Sequence, residues 1–563
     1  MGVLLQGFFN DVRTASPDSW WNHLAGQARD LGKAGFTAIW LPPPLKGASG
    51  GFSNGYDPFD DYDLGSKDQK GTVPTHYGTR EELQRCAAMM RANAIDLYID
   101  LVENHRDGDD GHFNFVYKDA FGNNQGGRFP KSPVDFHPHV PQDPGVFSDQ
   151  FAFGRDLAPI NGGNPKGRCG EQLIESADWL TRALDLQGYR LDNMKGVSTV
   201  FITELLEAKS MAGKFAVGEF AGGTIQDLQN WANAVQHKSS SFDFPLHFVL
   251  KDLCNNGGGF PMFSLDHAGL AGIDPLGAVT FVENHDTDRG GIGGPIVRNK
   301  LLAYAYILTS EGYPCVFYRD YSTDPNCFGL KPEIDRLIWI HEKVASGGTL
   351  QRWKDNGVFA YERLGGSHLL VGLNKDEGTT RTITVQTGFP PNHELQNLID
   401  DHAPRLKTDG HSNVKITIPK NTGGRGYVCY GIPAKIESFV RKPIATTQEY
   451  RGASDLDIQP AIAGEQVPIC RVFPAPNSHL GIHLAADAKN WTAATSITVT
   501  VNDPAGAAIG SKSFDQHAQG SSFSVAVKAK GFHAIVIEAA NTPAQNSKPS
   551  YVLGATYTAP QAL

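Results

Sequence analysis

Up to about residue 345, short apolar runs alternate with longer stretches that repeat an apolar residue every three or four positions. The runs predict strands at 3–9, 38–43, 96–102, 188–194, 214–220, 241–246, 278–286 and 313–319. The longer stretches predict helices, among them 19–31, 80–92, 171–186, 199–210 and 298–308. The second of these follows Thr79, with Glu82 three residues on, which is a capping-box pattern. Alternation of this kind argues for a parallel sheet with helical crossovers. Eight repeats argue for an α/β fold closed into a (β/α)8 TIM barrel.

Two departures divide the chain further. Residues 106–168 carry little helical period and are rich in Gly, Asn, Pro, Phe and His. A loop of that length inside a compact domain is usually a functional insertion, so an irregular subdomain is expected after strand 3. From about 350 the pattern becomes short alternating runs, such as Arg381-Thr-Ile-Thr-Val385 and Val414-Lys-Ile-Thr-Ile418. These predict C-terminal β-sandwich domains. The expected division is a barrel at 1–105 and 169–347, an inserted subdomain at 106–168, a β-sandwich at 348–436, and a further all-β domain with its linker at 437–563. Residues 433–465 read as a tether.

Composition narrows the class only a little. The chain has 563 residues, 40% hydrophobic and 20% charged, with a formal net charge of −10. That is ordinary for a soluble globular protein, with no basic stripe for nucleic acid and no polybasic membrane anchor. No apolar run approaches the length of a membrane span. No signal-peptide pattern opens the chain; secretion as a mature chain is the expectation, with a cytoplasmic protein as the alternative. Seven scattered cysteines, none in a Cys-x-x-Cys pair, argue against a zinc site and leave the redox compartment open.

Chemistry is concentrated at four predicted strand ends: Asp100-Leu-Val-Glu-Asn-His105, Gly188-Tyr-Arg-Leu-Asp-Asn-Met-Lys195, Val217-Gly-Glu-Phe220 and Phe281-Val-Glu-Asn-His-Asp286. Asp192 and Glu219 lie 27 residues apart, about one strand-plus-helix unit, and Glu219 and Asp286 lie 67 apart, about two. Carboxylates at the C-terminal ends of three barrel strands would converge, which suits acid-assisted cleavage of a glycosidic bond. Arg190 and Asp192 share a strand face, so the cation would favour an ionised, nucleophilic Asp192. Taken alone, an Arg-x-Asp pair is more often a structural ion pair. Glu219, with like charges near it, would have reason to hold a proton. Asn284 and Asp286 would share a face of the strand predicted at 278–286.

These four segments match, in order and spacing, the signature regions of the α-amylase family of glycoside hydrolases. The resemblance extends to Gly55-Tyr-Asp-Pro-Phe-Asp-Asp-Tyr-Asp-Leu-Gly65 and covers about residues 1–432. It implies Asp192 as nucleophile, Glu219 as general acid and base, and Asp286 as the carboxylate that stabilises the distorted sugar. It further implies that Arg190 orients Asp192, that His105 and His285 hydrogen-bond the sugar, that Tyr56 stacks beneath it, and that Lys195 touches the leaving-group side. A structural Ca²⁺ is implied, held by Asn104, Asp156 and the Gly196 carbonyl. The segment around Asp156 departs from the family's usual form.

The chain begins at its first barrel strand, without the N-terminal β-domain of cyclodextrin- and pullulan-cleaving relatives, and it lacks the oligo-1,6-glucosidase pattern. Both point to an endo-acting α-1,4 enzyme on starch, glycogen or maltooligosaccharides, expected as a monomer. A glucanotransferase, a maltooligosaccharide-forming exo-enzyme and a non-catalytic amylase-like binding protein are the competing readings. The last domain offers Trp491, Tyr551 and Tyr557 as sugar platforms, but a module packed on the catalytic domains is the simpler expectation.

Overall fold

The computed structural model describes residues 2–10, 12, 19–109, 114–118, 128–137, 153–160, 167–452, 464–486, 491–517, 521–540 and 549–563. Much of the insertion expected at 106–168 therefore lies outside the described residues.

Eight parallel strands close a barrel: β1 (Leu4–Gln6), β2 (Ala38–Leu41), β3 (Asp96–Leu101), β4 (Gly188–Leu191), β5 (Phe215–Gly218), β6 (Ser240–Phe242), β7 (Ala278–Phe281) and β8 (Tyr313–Phe317). They follow one another around the barrel in chain order. Strands such as Ala38-Ile-Trp-Leu41 are buried at every position, because helices cover the outside of a parallel barrel and side chains fill the inside. Seven of these strands fall within runs predicted from sequence, and β6 starts one residue before its predicted run at 241–246; all eight end earlier than predicted. β7 stops at Phe281, not at 286.

The chain forms two compact units. The first comprises Met1–Asn10, Lys33–Trp40 and Val217–Val440. After its barrel strands come a six-stranded antiparallel sheet and the pair Arg381–Gln386 with Asn413–Ile418. Ile383, Val385, Val414, Ile416 and Ile418 point inward and Thr382, Thr384, Lys415 and Thr417 outward, so the period of two builds the core here.

The second unit comprises Asp11–Gly32, Leu41–Ala216 and Arg441–Leu563. Its helix Arg80–Ala92 carries the capping box: Glu82 N–H donates to Thr79 Oγ1, and Thr79 N–H donates to Glu82 Oε2 at 2.8 Å. What is described of the insertion is anchored by buried charge. Lys131 pairs with Asp61, and Arg106 donates to Asp61 at 2.8 Å and to Glu103 at 3.1 Å. Burial would raise the Asp61 pKa, but Arg106 and Lys131 together hold it at about 2. Burial pushes Glu103 up to about 7.

The same unit ends in two four-stranded sheets, one containing Thr446–Gly452, Tyr551–Tyr557, Ser478–Ala486 and Ser521–Val527. The segment read as a tether thus contributes a strand. The module docks on barrel helices through Gln448 Nε2 to Gln84 O at 2.8 Å, Gln561 Nε2 to Ala92 O at 3.1 Å and an Arg471–Glu81 ion pair. Tyr551 and Tyr557 are buried, and the half-buried Trp491 donates from Nε1 to Ser550 O at 2.7 Å. Among the described residues no helix is long and apolar enough to cross a membrane.

Candidate active site

In the second unit, Asp192 is the first residue past β4, and its N–H donates to Leu101 O of β3 at 3.1 Å. Arg190 Nη1 is shared between two carboxylates. It donates to Asp100 Oδ1 at 2.8 Å and to Asp192 Oδ1. Tyr56 O–H donates to the other Asp100 oxygen at 2.8 Å. Asp100, Arg190 and Asp192 are all buried. Burial raises Asp100 to about 7, against the pull of Arg190. Asp100 therefore ties the Tyr56 loop to the Arg190–Asp192 pair. The sequence gives Asp100 no role of its own; its signal is a carboxylate one place before the end of β3 at Leu101.

His105 lies in the short strand His105–Arg106, paired with Arg155–Asp156. Its Nε2 donates to the Tyr56 carbonyl at 2.7 Å, and its Nδ1 lies 3.2 Å from Asn104 Nδ2. Both ring nitrogens already face protein atoms, so a sugar contact there would displace one of them. Burial lowers the His105 pKa, against the raising effect of Asp192. Lys195 is exposed on the turn Met194–Gly196, after Asn193 in the left-handed region at φ 48°.

The three residues expected around a cation come together in this unit. The strand pairing sets Asp156 opposite His105, and Leu157 N donates to Asn104 O at 2.9 Å. Asn104 Oδ1 packs so closely on Gly196 that a Cβ there would sit 1.9 Å from it. That oxygen is buried without a hydrogen-bond partner. Among the described residues, no group of three His, Cys, Asp or Glu side chains has the arrangement of a metal site.

In the first unit, Glu219 is the first residue past β5 and is 7% exposed. Gly218 before it has no room for a side chain, since a Cβ would meet the Trp231 ring at 2.4 Å. Glycine at 218 is what lets the helix Ile225–Ala234 close against the strand.

Asp286 lies on a turn, which corrects the expectation that it shares a strand face with Asn284. Asn284 Oδ1 accepts the N–H groups of Asp286 and Thr287, each at 2.9 Å, and these side-chain bonds replace the sheet ladder after Phe281. Glu283 braces the turn from below by accepting Ile296 N at 2.8 Å and the Thr287 hydroxyl, with Lys300 Nζ at 3.4 Å. Burial pushes Glu283 up to about 7. His285 Nε2 is 3.5 Å from Asp286 Oδ2, and its Nδ1 is 3.0 Å from Gln6 Nε2. Gln6 went unremarked in the sequence, being one polar residue in an apolar strand.

A closed parallel barrel with carboxylates just beyond the C-terminal ends of its strands belongs to the class of barrel enzymes whose chemistry is built on strand-end loops. No family model matches the chain. It is 30% identical over 440 residues to the glucan 1,4-alpha-maltohexaosidase of Bacillus sp. (strain 707), covering 68% of this chain and 79% of that one. It is 31% identical to the alpha-amylase of Bacillus licheniformis over 62% of this chain and 77% of that one. The gamma-CGTase of alkalophilic Bacillus clarkii shares its fold, with a TM-score of 0.58 at 18% identity over 98% of this chain and 96% of that one. The chain belongs to the α-amylase family of glycoside hydrolases and is an enzyme.

Proposed function

We propose that this enzyme hydrolyses internal α-1,4-glucosidic bonds of starch, glycogen and maltooligosaccharides by a retaining double displacement. The observation that carries the reading is the Arg190 guanidinium shared by Asp100 and Asp192 immediately past β4. A charge-assisted bond on one oxygen fixes the attitude of a carboxylate that must attack an anomeric carbon. Asp192 forms the covalent glycosyl-enzyme. Glu219 protonates the departing oxygen, then takes a proton from the incoming water. Asp286, with His285 beside it, holds sugar hydroxyls as the ring flattens, and Tyr56 stacks beneath the ring. Lys195 reaches the leaving-group side. His105 is best read as holding the Tyr56 carbonyl.

Asn104, Asp156 and the Gly196 carbonyl fit a Ca²⁺, because all are hard oxygen donors and Asn104 Oδ1 is a buried acceptor without a hydrogen bond. When bound, the ion would tie the insertion to the barrel and polarise nothing in the substrate.

Proton NMR of the first product formed from a maltooligosaccharide tests the mechanism. The α-anomer is expected, and an initial β-anomer refutes the double displacement. Transfer to sugar, or exo-release of one oligosaccharide as in the maltohexaosidase relative, is the competing outcome. Early products from amylose and from a cyclodextrin, resolved by size, separate these from endo-hydrolysis.

A further inference from the structure

His285 is buried. Its ring lies 5.1 Å from Phe8 and 5.8 Å, edge-on, from Trp40. Asn10 Nδ2 donates to its backbone carbonyl at 2.7 Å. Its Nδ1 faces Gln6 Nε2 at 3.0 Å and its Nε2 faces Asp286 Oδ2 at 3.5 Å.

Gln6 is the last residue of β1 and fully buried, between Trp40 of β2 and Phe317 of β8 in strand register. Burying an amide in an otherwise Leu-Leu strand is costly unless the amide does something a hydrocarbon cannot. Its Oε1 makes no hydrogen bond, so its function rests on the nitrogen side. The opposite orientation would bury two N–H donors in place of one carbonyl, and unmet buried donors are rarer than under-satisfied carbonyls. An amide N–H directed at Nδ1 requires a lone pair there. The imidazole proton then sits on Nε2, the nitrogen that faces Asp286.

We infer that Gln6 is a positioning residue: from the C-terminal end of β1 it fixes His285 as the Nε2–H tautomer, so that the imidazole donates toward the Asp286 carboxylate and the sugar hydroxyls beside it. The inference rests on the reading of Asp286 as the sugar-holding carboxylate. A plain packing role for Gln6 would leave the tautomer indifferent to its chemistry.

The test uses the full chain labelled with ¹⁵N-histidine, with His285→Asn identifying the His285 resonances by their loss. Wild type is expected to show an unprotonated Nδ1 and a protonated Nε2. Gln6→Glu presents a carboxylate that can only accept, so Nδ1 should gain a proton. Kinetically, Gln6→Met should lower kcat about 10- to 100-fold with KM within a few-fold, the range in which groups that orient a histidine act. Gln6→Glu should displace the pH profile of kcat/KM upward, because its carboxylate holds the Nδ1 proton to higher pH. A wild-type spectrum with the proton on Nδ1 overturns the inference, and so do two folded variants within twofold of wild type at every pH. The wild-type spectrum decides even if neither variant folds. It also needs no substrate, so a failure of the tautomer is distinguishable from a failure of the proposed hydrolysis.

Discussion

The dipeptide Asn-His occurs after β3, as Asn104-His105, and after β7, as Asn284-His285, and the two ends use it differently. In both, an amide N–H faces the histidine Nδ1, from Asn104 in the first and from Gln6 in the second. The asparagine oxygens part company. Asn284 Oδ1 takes two backbone N–H groups and shapes the turn that carries Asp286. Asn104 Oδ1 takes none and lies buried against Gly196. The same two residues therefore build a backbone turn at one strand end and a cation-ready acceptor at the other.

The harshest test of the two ends removes their carboxylates. Asp192→Asn, beside the first, Asp286→Asn, beside the second, and Glu219→Gln should each lower kcat by roughly 10³-fold or more, with the melting temperature kept within a few degrees. Near-normal turnover in any one would remove that residue from the chemistry.

Exchanging asparagine for alanine sharpens the contrast directly. Asn284→Ala frees two N–H groups and loosens Asp286, and it should cost about 10- to 100-fold in kcat, as small misplacements of reacting groups do. Asn104→Ala, assayed with excess Ca²⁺, should stay within a few-fold. Equal kinetic losses in the two would erase the distinction.

The cation reading has its own readout. A chelator should lower the melting temperature of the wild type, and Ca²⁺ should restore it, since an ion bound only to the folded state adds stability. Asn104→Ala should lose that response and Asn284→Ala should keep it. A wild type indifferent to chelator retires the site.

These expectations show which parts of the site a sequence can carry. All eight barrel strands were legible, most of them because strands buried on both faces read as apolar runs, while β6, Ser240-Ser-Phe242, only overlaps its predicted run. Where β7 stops was not, since Asn284 and Thr287 satisfy the backbone with side chains and the segment keeps an extended look in sequence. The strand Thr446–Gly452 was hidden for another reason. Its inward positions are Thr446, Gln448, Tyr450 and Gly452, mostly polar or small, so hydrophobic alternation does not flag them. Asp192, Glu219 and Asp286 stood out by spacing. Gln6 and Asp100 act through side chains far away in the chain, whereas Glu283 braces its own turn and reads in sequence as one more polar residue at a strand end.

A smaller effect is expected from deleting residues 441–563. Hydrolysis of soluble maltooligosaccharides should change by no more than a few-fold, while the bared helices make the protein less soluble. Binding of the isolated fragment to granular starch, abolished by Trp491→Ala, would contradict the packing role.

The smallest effect concerns protons at the first Asn-His end. Burial holds His105 below its ordinary pKa, so the unfolded chain takes up a proton near pH 6.5 that the folded protein refuses. Stability should therefore fall as pH drops below that point. His105→Gln should make the decline of melting temperature between pH 7 and 5 shallower, by no more than a few degrees. An identical slope in the variant would show that the ring does not titrate on unfolding.

The way the last module sits on its helices has an evolutionary side. Gln448, Gln561 and Arg441 grip the main-chain oxygens of Gln84, Ala92 and Gly32, and Asn93 grips that of Gln561. A carbonyl looks the same whatever side chain its residue bears. At Gln84, Ala92 and Gly32 the receiving surface can therefore change its side chains without losing these holds, whereas Asn93, Asp185 and Glu81 hold the module through their own side chains. A module held in good part by main-chain oxygens is suited to exchange among related barrels, since only a few side chains of its host must be kept.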